Sequence, residues 1–139
     1  MDTNVLYQAI DNPNGASGFI FNLVRNTSIN LLISIPVFSE YEAVLKREME
    51  ILNITNNDCD IILDFIAFIG IKTPIYYLWR PNLLDENDNI FIELSITGRA
   101  DYLITSNLKD YNKNNDLKIE GIQIEKPANF VKKWRKHES

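Results

Sequence analysis

Asn30-Leu31-Leu32-Ile33-Ser34-Ile35-Pro36-Val37 decides how the rest of the chain is read. Residues 30–35 are short, apolar and partly β-branched, the composition of a buried strand. Pro36 suits the first turn of a helix. Val37, Tyr41, Val44 and Leu45 then mark one face of a helix running to about Glu50. A strand feeding at once into a helix of that length needs a crossover connection, so its next neighbour runs parallel.

The same alternation extends in both directions. Upstream, Asp11-Asn12-Pro13-Asn14-Gly15 is a turn cluster. Phe19, Ile20, Leu23 and Val24 follow at three-to-four spacing and predict an amphipathic helix over Ala16–Arg25. Downstream, Asn56-Asn57-Asp58 offers N-cap candidates for a helix that carries Ile61, Ile62, Phe65, Ile66 and Ile69 and that Gly70 stops. Residues 71–77 read as extended and interrupted at Pro74, and 78–84 as a connection. Residues 85–97 read as a helix with Ile90, Phe91 and Leu94 turned inward, ended by Gly98. Ala100-Asp101-Tyr102-Leu103-Ile104-Thr105 is a second buried strand, 112–116 a polar loop, and Ile122-Gln123-Ile124 a short strand. Pro127 starts a last helix to about Arg135. Strands separated by helices predict an α/β fold with a mainly parallel sheet, in a single domain over 1–139.

The chain has 139 residues, enough for one domain with its own core. At 45% hydrophobic and 24% charged it reads as a folded globular protein. Its apolar runs are far shorter than a membrane span, and no secretory signal precedes them. Cys59 is the single cysteine, which rules out an internal disulfide and fits a reducing, cytoplasmic setting. The net charge of -5 argues mildly against a nucleic-acid partner. The tail Lys132-Lys133-Trp134-Arg135-Lys136-His137 is locally basic, either a solvated helix end whose cations suit the dipole or an RNA contact.

In parallel α/β sheets, ligand groups gather beyond the carboxyl ends of the strands. That rule selects Asp2, the residues after Ile35, and Thr105-Ser106-Asn107. Three acids occupy such places: Asp2, Glu40 and Asp88. Hard divalent cations want oxygen ligands, and a few carboxylates could hold Mg²⁺ and activate a water toward a phosphodiester. Each acid also has a bland reading. Asp2 could cap a helix, Glu40 could sit on a solvated face with Glu42, Lys46 and Arg47, and Asp88 could complement a helix N-terminus. His137 is the single histidine and lies in the tail, which disfavours a Ser-His-Asp centre. Cys59 has no base nearby in sequence and reads as a capping-turn or core residue. Asp101 reads as structural, and Glu93, one turn beyond Asp88, faces either pocket or core. Trp79 and Tyr76-Tyr77 could stack on bases or pack under the connection.

Several stretches resemble, in order, those of PIN-domain nucleases. They are Asp2-Thr3-Asn4-Val5, Asn12-Pro13-Asn14-Gly15, Ser39-Glu40-Tyr41-Glu42-Ala43-Val44-Leu45, Asp85-Glu86-Asn87-Asp88-Asn89, Ala100-Asp101-Tyr102-Leu103-Ile104-Thr105 and Asn107-Leu108-Lys109. The resemblance covers nearly the whole chain and looks closest to the subfamily of toxins from toxin–antitoxin systems. It implies a three-layer α/β/α domain and single-strand ribonuclease activity dependent on Mg²⁺ or Mn²⁺. By position, Asp2, Glu40 and Asp88 match the metal-binding acids. Thr3 and Asn4 match residues that orient the first acid, and Thr105 a polar residue beside the site. It also implies an antitoxin partner covering the acidic cleft, and homodimerisation.

The chain departs from that pattern twice. Asn107 stands where the family often has a fourth acid; its amide oxygen can ligate but carries no charge, and Asp110 is a nearby substitute. A strand central to the sheet should precede Asp2, where this sequence has only Met1, so the first strand reads as truncated. Three explanations stand: a start site downstream of the true one, a decayed copy, or neighbouring strands closing the gap. The α-ammonium at residue 1 would also compete with a cation at Asp2. The rival readings are a catalytically weakened PIN-like module that binds RNA or protein, and a response-regulator-like phosphoacceptor, whose order of acids fits poorly.

Overall fold

A computed structural model describes residues 1–75, 86–111 and 120–138, without the side chains of 86–88, 110 and 138. Within it, helix α1 spans Thr3–Asp11 and α2 spans Ala16–Arg25, where the apolar spacing predicts it. Strand β1 is only Leu32–Ile33, shorter than the apolar run, because its ladder reaches no further than the two residues of β2, Ile71–Lys72. Helix α3 spans Ile35–Arg47 with Pro36 in its first turn, and the Ser34 hydroxyl accepts the Val37 N–H at 3.3 Å. It stops at Arg47, short of Glu50, and a separate turn of helix, α4 (Met49–Leu52), closes on Asn53 in the left-handed region at φ 57°.

Helix α5 runs Asn56–Ile69. Its cap is Thr55, not one of residues 56–58. The Thr55 hydroxyl accepts the Asp58 N–H at 3.1 Å and the Asp58 carboxylate accepts the Thr55 N–H at 2.9 Å. This reciprocal box satisfies two otherwise orphaned donors. Thr55→Ala is expected to cost about 1 kcal/mol in urea unfolding, without changing the m-value.

The remaining elements are α6 (Glu86–Thr97), β3 (Tyr102–Ile104), a 3-10 turn at Leu108–Asp110, β4 (Gln123–Glu125) and α7 (Pro127–Glu138). The expected connection over 78–84, the polar loop over 112–116, and Tyr76, Tyr77 and Trp79 lie outside the described residues. Gly70 and Gly98 accompany the ends of α5 and α6 as expected.

Strands β1 and β2 pair in parallel, as do β3 and β4. The expected sheet is therefore parallel, but among the described residues it consists of two two-stranded pieces. A cavity of about 690 Å³ lies where β1 and β3 would meet, bordered by Leu31, Leu32, Tyr102 and Ile104. One apolar core joins α3, α5 and α6 through Tyr41, Leu45, Cys59, Leu63, Ile66 and Phe91. A second joins α1, α2, β3 and α7 through Val5, Ile20, Leu23, Ile104 and Phe130. Cys59 is a core residue, fully buried, with its thiol pushed up by burial and therefore inert. Among the described residues no helix is long and apolar enough to cross a membrane.

Candidate functional site

Asp2 is the N-cap residue of α1. Its backbone N–H donates to the Ile104 carbonyl at 2.9 Å, which sets it beside the carboxyl end of β3. Its side chain is buried, and a buried charge persists only where donors replace water. Oδ2 accepts three bonds, from the Thr105 hydroxyl at 2.7 Å, the Tyr111 hydroxyl at 3.1 Å and the Asn4 amide at 3.3 Å. Oδ1 accepts one, from the Thr3 N–H at 2.7 Å, which is the N-cap bond of α1. One oxygen is thus anchored and the other keeps a lone pair to spare.

The surrounding polar residues extend this arrangement. Asn4 accepts the Ser106 N–H at 3.2 Å, and the Thr105 hydroxyl accepts the Asn107 N–H at 3.0 Å. Gln8 Oε1 accepts hydroxyl bonds from Ser106 at 3.0 Å and Ser17 at 3.1 Å. Tyr41, fully buried on α3, donates to the Met1 carbonyl at 2.5 Å. Burial, then the Asp2 charge, pushes its phenol upward, so it stays a donor. The Met1 amino group, expected as a competing cation, is pushed down to about 6 by burial against the opposing pull of Asp2.

The structure therefore brings Asp2, Thr3, Asn4, Thr105 and the Asn107 backbone together. A family model for the PIN domain matches residues 1–109, which contain this whole assembly apart from Tyr111. The chain belongs to the PIN domain family. PIN domains have a nuclease-like fold, are generally RNA-cleaving, and usually bind Mg²⁺ or Mn²⁺. The chain is also 29% identical to an uncharacterized protein, MJ1680, from Methanocaldococcus jannaschii, over 98% of this chain and 90% of that one. No solved structure matches it.

The other acids of the PIN pattern are placed less completely. Glu40 is half-buried on α3, next to Tyr41. Asp88 lies in the first turn of α6, with its side chain outside the described residues. The Asn107 side chain is exposed at the mouth of the 3-10 turn. Asp101 is exposed, and Asp110, the substitute acid, also falls outside the described side chains. Among the described residues no three His, Cys, Asp or Glu side chains gather closely enough to hold an ion. The donor set nevertheless fits a hard divalent cation in kind, being all oxygen, with a lone pair of Asp2 Oδ1 unclaimed among the described residues.

One residue of this region carries no signal in the sequence reading. Tyr111 follows an acid in a polar stretch, and only the fold shows that its hydroxyl needs the Asp2 carboxylate. Glu93 is 1% exposed on α6, and among the described residues neither carboxylate oxygen has a hydrogen-bond partner, nor has the side-chain amide oxygen of Asn89 on the same helix. Burial raises the Glu93 carboxyl above its ordinary value of 4.5. The folded state then binds the proton more tightly than the unfolded chain, so metal-free stability falls as pH rises above about 4.5. Glu93→Gln is expected to melt higher than the parent protein, by a margin larger at pH 8 than at pH 5, in EDTA.

Lys133 and Arg135 of the basic tail contact the body of the domain. Lys133 pairs with Glu125 on β4, and the Arg135 guanidinium lies 5.0 Å over the Phe19 ring of α2. Lys132, Lys133, Arg135, Lys136 and His137 are all exposed.

Proposed function

We propose that this PIN domain is a metal-dependent endoribonuclease acting on single-stranded RNA in the cytoplasm, as the toxin of a toxin–antitoxin pair. The observation that carries the reading is the buried Asp2 carboxylate, with Oδ2 fixed by three donors and Oδ1 accepting, among the described residues, one N–H beside the end of β3. A carboxylate so oriented is presented to a cation at little entropic cost.

In this scheme Asp2, Glu40 and Asp88 hold Mg²⁺ or Mn²⁺, and Asn107 completes the shell by its amide oxygen or through a water. The bound ion would supply a hydroxide-like water at neutral pH and offset charge on the phosphoryl oxygens. Thr105, Tyr111 and Asn4 hold Asp2 Oδ2, and the Thr3 N–H holds Oδ1, so the carboxylate plane is fixed. Met1 and Tyr41 clamp the backbone ahead of the acid. An antitoxin segment covering the acidic cleft would silence the enzyme, and a homodimer is the expected assembly.

Calorimetric titration with Mn²⁺ tests this reading. The wild-type protein is expected to bind, and Asp88→Asn to bind at least about tenfold more weakly. A folded wild-type protein that takes up no Mn²⁺ would instead support a PIN domain reduced to binding RNA or protein.

A further inference from the structure

Gln8 stands on the same face of α1 as Asn4, one helical turn further from Asp2. Asn4 donates to the Asp2 carboxylate and accepts the Ser106 N–H. Gln8 Oε1 accepts the Ser106 hydroxyl at 3.0 Å and the Ser17 hydroxyl at 3.1 Å. One short loop therefore fastens both side chains, through Thr105 to Asp2 and through Ser106 to Gln8. By the helix rise, Gln8 lies about 6 Å beyond Asn4 along α1. It is an exposed residue in a fixed position beside the candidate metal site.

Ser17 settles which way the Gln8 amide is turned. Ser17 is buried, so its hydroxyl proton needs an acceptor, and among the described residues Gln8 Oε1 is that acceptor. An amide oxygen has two lone pairs, and the Ser17 and Ser106 hydroxyls take both. What Gln8 still offers to a ligand is its NH₂ group, which can donate and cannot accept.

That restriction has a consequence for RNA. An unencumbered amide side chain reads adenine with both its atoms, the oxygen on N6–H₂ and the nitrogen on N7. Gln8 has no oxygen left for N6–H₂. Uracil O4 and guanine O6 accept from an NH₂ group, whereas cytosine N4–H₂ and adenine N6–H₂ would set donor against donor. Single-stranded RNA leaves these edges open to side chains.

We propose that Gln8 determines base specificity, selecting the keto bases uracil and guanine over the amino bases cytosine and adenine at a nucleotide next to the one bound at Asp2. The proposal rests on the reading of this domain as a single-strand ribonuclease. Ser17 and Ser106 act as positioning residues, holding the amide so that only its donors face the base.

The test measures binding of oligouridylate and oligocytidylate of about 12 nucleotides by fluorescence anisotropy, with Ca²⁺ in place of Mn²⁺. The two RNAs differ at the pyrimidine ring only in O4 against N4–H₂. The wild-type protein is expected to bind oligouridylate at least about 5-fold more tightly. Gln8→Leu is expected to bring the two affinities within about 2-fold of each other. Gln8→Glu keeps an acceptor for both serine hydroxyls, and so the local fold, but presents a carboxylate oxygen where the NH₂ stood. Its expected result is a reversed order, with oligocytidylate bound more tightly. Equal binding of the two RNAs by the wild type, or an undiminished uridylate preference in either variant, would overturn the inference and leave the nuclease reading standing. A folded wild-type protein that binds neither RNA would overturn both.

Discussion

Asp2→Asn is expected to lower kcat/KM for metal-dependent RNA cleavage by at least about 100-fold while leaving the protein folded. The Asp2 carboxylate has two unequal oxygens. Three donors converge on Oδ2, so the amide oxygen of the variant must take that place. The amide NH₂ is then forced into the Oδ1 position, facing the Thr3 N–H that now caps α1. A donor meets a donor, the helix loses about 1 kcal/mol of capping, and the group offered to the cation is neutral and of the wrong polarity. The capping loss is small against the stability of a domain and shows as a modest drop in Tm. Thr105→Val is the companion variant. It leaves the charge on Asp2 and removes its shortest side-chain donor, so metal affinity is expected to fall about 10-fold, with saturating Mn²⁺ restoring most of the rate. If both variants cleave like the wild type, Asp2 is only a helix cap.

Gly18→Ala is expected to be the most damaging small substitution, at about 3 kcal/mol, lowering Tm by about 10 °C. Gly18 is buried on α2. A Cβ there would stand 2.1 Å from the Pro13 carbonyl oxygen and 2.5 Å from its carbon. Both are backbone atoms of the turn between α1 and α2, so no side-chain rotamer relieves the clash. The turn is itself fixed, with Gly15 N–H on the Asn12 carbonyl at 3.0 Å. Relief must come from α2 moving off α1, which strains the Ser17–Gln8 bond and through Gln8 the contact with Ser106. The same variant should therefore lose some activity below its melting temperature. An unchanged Tm would mean that the turn around Pro13 yields more easily than its hydrogen bonds indicate.

Local structure was legible in the sequence wherever one face of an element is buried. Ala16–Arg25 is a helix over the residues that its apolar spacing marks, because α2 buries one side and leaves Arg25 and Asn26 wet. Helix α6 shows the opposite case. From Phe91 to Ile96 every side chain is buried, so periodicity cannot tell Glu93 from its apolar neighbours. The Thr55 cap was readable as a Thr followed three residues later by Asp58, and the adjacent asparagines obscured it. Strand pairing was less legible. The apolar runs over 30–35 and 100–105 each predict a strand, but ladder length depends on the partner's edge, which no local pattern encodes. At the site, the types and order of Asp2, Thr3, Asn4 and Thr105 carried enough information to select them. The Tyr111 and Tyr41 hydroxyls were hidden because each finds its acceptor far along the chain, 109 and 40 residues away.

The central claim is that Asp2 presents a cation to RNA. Its most direct test is cleavage of a mixed-sequence single-stranded RNA by the wild-type protein and by Asp2→Asn, each with Mn²⁺ and with EDTA. The account predicts cleavage by the wild type with Mn²⁺ alone, and loss of it in EDTA and in the folded variant. Cleavage that survives EDTA, or that Asp2→Asn retains in full, would contradict it.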